Sequence, residues 1–206
     1  MTKSRTAFDL VLAVDVETSG LALGCENPVY NPATQEKFQT LSLGMVVASV
    51  TTLRPIDELY VEIKFDSSKY TWSEGAERVH GMSREYLEQN GMELSDAVAH
   101  IITFIEKYFG PIDLLKRLTL LGHNVATFDR HFLYDLFASA GVEIQFGNRH
   151  IDTFTLGVVL LDLFSSNELF DFFELPRDPE NHNALQDTKH ALTCTRLIRK
   201  FFKSVA

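Results

Sequence analysis

Asp15 and Glu17 stand two residues apart at the end of an apolar run, in VLAVDVETSGL (11–21). Side chains two apart on a strand point the same way, so both carboxylates share one face and repel each other unless something compensates them. Two further segments set acids or a histidine where strands end or helices begin. GHNVATFD (122–129) carries Asp129, and HNALQD (182–187) carries His182 and Asp187. Four carboxylates converging on one pocket each disfavour the ionised form of the others, which cations relieve. An all-oxygen ligand set suits Mg²⁺ or Mn²⁺ and not Zn²⁺. Two such ions, about 3.5 to 4 Å apart, clamp the attacking and leaving oxygens of a phosphodiester during in-line displacement.

In chain order, DVETSGL, HNVATFD and HNALQD resemble the three motifs of the DEDDh-type 3′→5′ exonucleases, the DnaQ-like family of proofreading subunits, ribonuclease T and oligoribonuclease. A histidine five residues before the last aspartate marks the His subtype. The resemblance spans residues 15–187 and implies an RNase H-like fold, two divalent metal ions and release of nucleoside 5′-monophosphates from a free 3′ end. It makes Asp15, Glu17, Asp129 and Asp187 metal ligands and His182 the general base that takes a proton from the attacking water, a role an imidazole serves near neutral pH. It places the terminal nucleotide against Thr18, Gly20 and Leu21, with Leu21 wedged near the last bases. Asn124 belongs to the second motif, and Phe128 is expected beside the sugar or base, since stacking tolerates any base. VHGMS (79–83) resembles a segment lining the same pocket and adds His80 and Met82. Two departures stand out: a longer loop after the first motif, and Ser42 where many relatives carry an acid, a position read as peripheral.

These residues need a sheet to hold them. Residues 8–17, 41–52 and 58–65 read as strands one to three, joined by connectors short enough for an antiparallel meander. LTLLG (118–122) reads as a fourth strand and RHID (149–152) as a short fifth. Between strands one and two, residues 22–40 form a polar insertion with two prolines and no clear period. Thr71 and Glu74 read as a capping box opening a short helix. A second helix starts at Ser95 and stops at Gly110-Pro111. TFDRHFLYDLFASAG reads as a helix capped by Gly141, a further helix starts at Thr153, and a long amphipathic one covers NALQDTKHALTCTRLIRKFF. The expected fold is α/β: an RNase H-like mixed five-stranded sheet, strands 1–3 an antiparallel meander and strands 4 and 5 parallel to strand 1, flanked by helices in one domain, 1–206.

A net charge of -9 argues against a protein coating long stretches of nucleic acid, though not against an enzyme gripping a few nucleotides. No apolar run approaches the ~20 residues of a membrane helix and the N-terminus lacks a secretory signal pattern, so the expected compartment is the cytoplasm, without membrane attachment. Cys25 and Cys194 lack metal-ligand spacing. Asp152 is better explained as a helix N-cap than as a ligand. Arg196, Arg199, Lys200 and Lys203 read as a solvated helix face.

The expected partners are single-stranded 3′ ends, with DNA slightly favoured over RNA. That choice depends on where a pocket group meets the 2′-hydroxyl. RNA 3′-end trimming in the manner of ribonuclease T or oligoribonuclease is the alternative within the class. Outside it stands a proofreading or scaffold module that mainly binds a polymerase or repair partner. Relatives of this kind often form homodimers.

Overall fold

The computed structural model describes residues 9–111, 118–175 and 183–205. The first apolar run forms β1 (Leu10–Thr18), buried along its length except at Asp15, which is half-buried. The insertion folds back as a small hairpin of β2 (Tyr30–Asn31) and β3 (Glu36–Lys37). It leads into β4 (Thr40–Ser49) and β5 (Pro55–Glu62). After three helices come β6 (Leu120–Gly122) and β7 (His150–Asp152). The main sheet has the order β5-β4-β1-β6-β7. β1, β4 and β5 pair antiparallel, while β6 and β7 run parallel to β1. This is the mixed sheet expected from the sequence.

Because successive strand residues face opposite ways, β1 builds two cores. Leu10, Leu12, Val14 and Val16 pack under α3 (Leu94–Phe109) and α4 (Asp129–Ser139). Val11 and Ala13 pack on the other face with Val46, Ala48 and Leu121 against Ala191 and Leu192 of α7 (Ala184–Val205). Asp15 and Glu17 continue that second face. The apolar pattern thus makes the sheet, and its last two odd positions turn from core to carboxylate.

Gly44 of β4 sets how closely α7 approaches. A Cβ there would lie 2.3 Å from the Leu185 nitrogen and 2.4 Å from the Ala184 carbonyl carbon. The Thr188 hydroxyl donates to the Gly44 carbonyl at 3.1 Å. A glycine inside a strand marks close approach of another backbone, here the first turn of the helix that carries Asp187.

The short helices differ from expectation in detail. α1 (Glu74–His80) is capped by Ser73, whose hydroxyl accepts from the Ala76 amide, and not by Thr71. The Thr71 amide instead donates to the Lys37 carbonyl at 2.7 Å, tying the segment to the insertion. α2 (Arg84–Asn90) and α6 (Ser166–Phe172) lie outside the sequence reading. Each is seven residues long with a serine N-cap, too short for a helical period to show. α4 has Ala140 at its C-cap, with Gly141 in the left-handed conformation (φ 75°) just beyond. α5 (Thr153–Leu161) begins as expected, the Phe154 amide donating to the Asp152 carboxylate at 2.9 Å. Arg199 donates to the carbonyls of Val50 and Thr51 at 2.7 and 3.0 Å, so this member of the basic cluster closes the β4–β5 turn. Among the described residues no single helix is long and apolar enough to cross a membrane.

Candidate active site

Asp15 sits opposite Gly44 and Glu17 opposite Ser42 in the β1–β4 register, both at the carboxyl end of the central strand. Asp187 reaches them from the first turn of α7. One carboxylate oxygen from each of Asp15, Glu17 and Asp187 lies within 4.8 Å of the others. Glu17 is 9% and Asp187 5% exposed, so the cluster is largely withdrawn from solvent. Ahead of α7, the Asn183 side-chain oxygen accepts from the Gln186 amide at 3.0 Å, fixing the turn that delivers Asp187. His182, the expected general base, lies outside the described residues.

Asp129, the fourth expected ligand, stands outside this group of three, on the α4 side of β1. It is the first residue of α4 and 1% exposed, and its Oδ1 accepts from the Val16 amide at 3.1 Å. Val16 lies between Asp15 and Glu17, so the backbone of the acid-bearing strand itself holds the fourth carboxylate. Burial, reinforced by the charges of Asp152 and Glu17, pushes the Asp129 carboxyl well above the ordinary value of 3.8, while bonds from backbone amides oppose the rise. A cation beside it reverses that preference.

The raised value gives a test. A carboxyl whose folded pKa exceeds its unfolded one stabilises the fold fully below the unfolded value, and that stability is lost as pH rises through the folded value. In chelator, the thermal midpoint of the wild type is therefore expected to fall with pH above about 4 more steeply than that of Asp129→Asn, which keeps an oxygen for the Val16 amide. Parallel pH profiles would contradict the assignment.

The loop after β1 is tied at several points. The Ser19 amide donates to the Gln39 carbonyl and its hydroxyl accepts from the Gln39 amide, both at 2.9 Å. Its carbonyl accepts from the Ser73 amide at 2.8 Å. The Thr18 hydroxyl donates to the Gly20 carbonyl at 3.0 Å. Gly20 has φ 153°, and a Cβ there would lie 2.5 Å from the Phe38 ring. Leu21 is 43% exposed at the end of this loop. His80 is buried at the end of α1, with its Nδ1 accepting from the Met82 amide at 3.1 Å. Met82 packs on the cluster of Leu41, Phe65 and Leu87.

The second motif is a turn. Asn124 takes φ 60°, its amide donates to Asp152 Oδ1 at 3.1 Å, and its carbonyl accepts from the Thr127 and Phe128 amides. Asp152 thus caps α5 and anchors the Asn124 turn with one oxygen, as its reading as an N-cap anticipated. The Phe128 ring meets that of Phe132 in a tilted contact, 5.0 Å between centroids, and packs on the larger core.

Ser19, Ser73, Gly44 and Asn183 were not among the expected site residues. The glycine in LSLG was a readable signal for Gly44, whereas the serines act through backbone bonds that leave no pattern. A cleft of about 650 Å³ opens away from the acids, lined among others by Lys37, Gln39, Tyr70 and Arg84. Its cations are engaged by neighbouring acids, with Lys37–Asp135 at 2.7 Å and Arg84–Glu88 at 2.8 Å.

The sheet order and the placement of helices on both faces define an RNase H-like fold of the exonuclease I type. Among the solved structures it is similar to are those of Escherichia coli exonuclease I. The complex with a dT13 oligonucleotide superposes with a TM-score of 0.70 at 15% identity, covering 95% of this chain and 43% of that one. The zinc-bound form in complex with single-stranded DNA gives 0.67 at 15% identity, covering 94% and 41%. A product-bound exonuclease I structure gives 0.69 at 14% identity, covering 93% and 43%. The chain therefore spans about two-fifths of the length of the solved chains it matches. No protein-family model and no curated protein sequence matches it.

Proposed function

We propose that the protein is a metal-dependent 3′→5′ exonuclease acting on single-stranded nucleic acid, with DNA as the favoured substrate. The observation that carries this reading is the convergence of Asp15, Glu17 and Asp187 within 4.8 Å at the end of β1. Three carboxylates at that spacing, Glu17 and Asp187 buried and Asp15 half-buried, form a hard all-oxygen donor set, which fits Mg²⁺ or Mn²⁺. Asp129, at the start of α4, is a fourth, its carboxylate accepting from the Val16 amide of the same strand. The likeness to exonuclease I solved with oligonucleotides supports the substrate class, and that enzyme's zinc-bound form supports a divalent site.

When bound, a pair of divalent ions supplies Lewis-acid polarisation of the scissile phosphate and lowers the pKa of a bound water. Asp15, Glu17, Asp129 and Asp187 hold that charge. The rigid Thr18–Leu21 loop positions the terminal nucleotide, with its backbone fixed by Gln39 and Ser73 and the exposed Leu21 side chain offered to the bases. His80 and Met82, at and just after the end of the helix that Ser73 caps, and Asn124 and Phe128, in the turn before α4, complete the proposed substrate contacts. His182, five residues before Asp187, accepts the proton of the attacking water.

Product analysis tests the reading. With Mg²⁺ and matched single-stranded DNA and RNA, the expected products are nucleoside 5′-monophosphates released stepwise from the 3′ end, faster from DNA. Faster RNA turnover would transfer the protein to 3′-end trimming of RNA. Internal cuts or shortening from the 5′ end would overturn the reading.

A further inference from the structure

The acid-bearing face continues past β4 onto the edge strand. In the β1–β4–β5 register Glu17 lies opposite Ser42 and Ser42 opposite Glu62, while Asp15, Gly44 and Tyr60 form the adjacent row. Directly opposed residues of antiparallel strands share a face, so Tyr60 and Glu62 flank the carboxylate cluster on its β5 side. The Tyr60 hydroxyl donates to Glu62 Oε1 at 2.9 Å, and the Tyr86 hydroxyl, from α2, donates to Glu62 Oε2 at 2.8 Å. Both oxygens of Glu62 are thereby fixed by phenols. Tyr60 is half-buried and Ser42 fully buried between the two glutamates. Burial, the bond to Glu62 and that carboxylate's charge raise the Tyr60 pKa, the charge of Glu17 adding a smaller rise and a hydrogen bond with Ser42 opposing it.

A phenol whose proton is committed to a carboxylate presents only lone pairs to its other neighbours. Beside a cation that sheds water reluctantly, as Mg²⁺ does, such lone pairs accept hydrogen bonds from the ion's remaining waters. Glu62 adds a negative charge behind the phenol and holds it in place. Outer-shell groups of this kind orient what the direct ligands hold and tune affinity.

We propose that Tyr60 and Glu62 act as a paired positioning unit for the hydrated divalent ion at Glu17, with Tyr60 accepting from a metal-bound water and Glu62 fixing the phenol. The proposal rests on the metal site proposed above. Neither residue touches the reacting atoms, and neither belongs to the three sequence motifs.

The test is a Mn²⁺ titration followed by the electron paramagnetic resonance signal of the free ion, on wild type, Asp15→Ala, Tyr60→Phe, Glu62→Gln and the double variant. Wild type binds and Asp15→Ala does not. Tyr60→Phe and Glu62→Gln each weaken binding about 10-fold, the low end of the range for outer-shell partners. The double variant loses no more than either single one, because the two act as a unit. Thermal midpoints in chelator, followed in parallel, fall by no more than about 6 °C, the scale of one lost hydrogen bond in a chain of this size, and every variant is titrated well below its midpoint. Wild-type affinity in both single variants would overturn the proposal and leave the metal site standing. No Mn²⁺ binding by wild type would overturn both.

Discussion

Asp15→Ala is expected to abolish the proposed nuclease activity, with kcat falling by at least about 10³-fold, the upper range for deleting one preorganised electrostatic group. Asp15 is one corner of a three-carboxylate cluster with oxygens inside 4.8 Å, and it is the member facing the glycine over which α7 docks. Its removal leaves only Glu17 and Asp187 of the cluster, with Asp129 beyond it, too few direct ligands to hold a divalent ion. The fold does not suffer in parallel. Without metal, Asp15 adds repulsion to Glu17 and Asp187, so the variant's thermal midpoint in chelator is expected to hold or to rise by a few degrees, about 1 kcal/mol. Thermal melts with and without Mg²⁺ check this: wild type gains stability from the ion by mass action and Asp15→Ala does not. A variant that loses activity because it unfolds would break the link between this carboxylate and the chemistry.

Gly44→Ala produces the second large effect, through packing. The added methyl meets the Leu185 nitrogen at 2.3 Å and the Leu185 Cα at 2.4 Å, both backbone atoms with no rotamer to yield. Either β4 or the first turn of α7 must move. Overpacking of this kind costs about 1 to 3 kcal/mol, which corresponds to a fall in thermal midpoint of roughly 2 to 12 °C for a chain of this size. The functional cost is larger than the stability cost, because the displaced turn carries Asp187. A shift near 1 Å at a catalytic group lowers the rate by about 10²-fold. Circular dichroism and a rate measurement well below the midpoint separate the two: the variant is expected to be folded and slow. A folded variant with wild-type rate would show that Asp187 does not depend on this contact.

The sheet was legible because its pattern is dense. β1 and β4 read as continuous apolar runs, since both are covered on both faces, and β5 alternates because it is the edge. The acids were legible because each sits at an element boundary: Asp15 and Glu17 where the apolar run ends, Asp129 and Asp187 in the first turn of a helix. Asp152 was readable as a cap for the same reason. Short pieces escaped. Two seven-residue helices and a hairpin with two-residue strands are too brief for a period to emerge, and tertiary bonds such as Thr71 to Lys37 decide where they begin. Cross-strand neighbours escaped too. Ser42 looked peripheral in the chain, yet register places it fully buried between Glu17 and Glu62. That adjacency exists only once three strands are aligned, so Tyr60 and Glu62 carried no signal in the sequence.

The most direct measurement is a time course on a 5′-labelled single-stranded DNA oligonucleotide with purified wild type and Asp15→Ala, each with Mg²⁺ and with chelator. A ladder shortening one nucleotide at a time from the 3′ end, present with Mg²⁺ in wild type and absent in the other three reactions, is expected. Shortening that persists in chelator, or that Asp15→Ala retains, would contradict a metal-dependent exonuclease built on this carboxylate cluster.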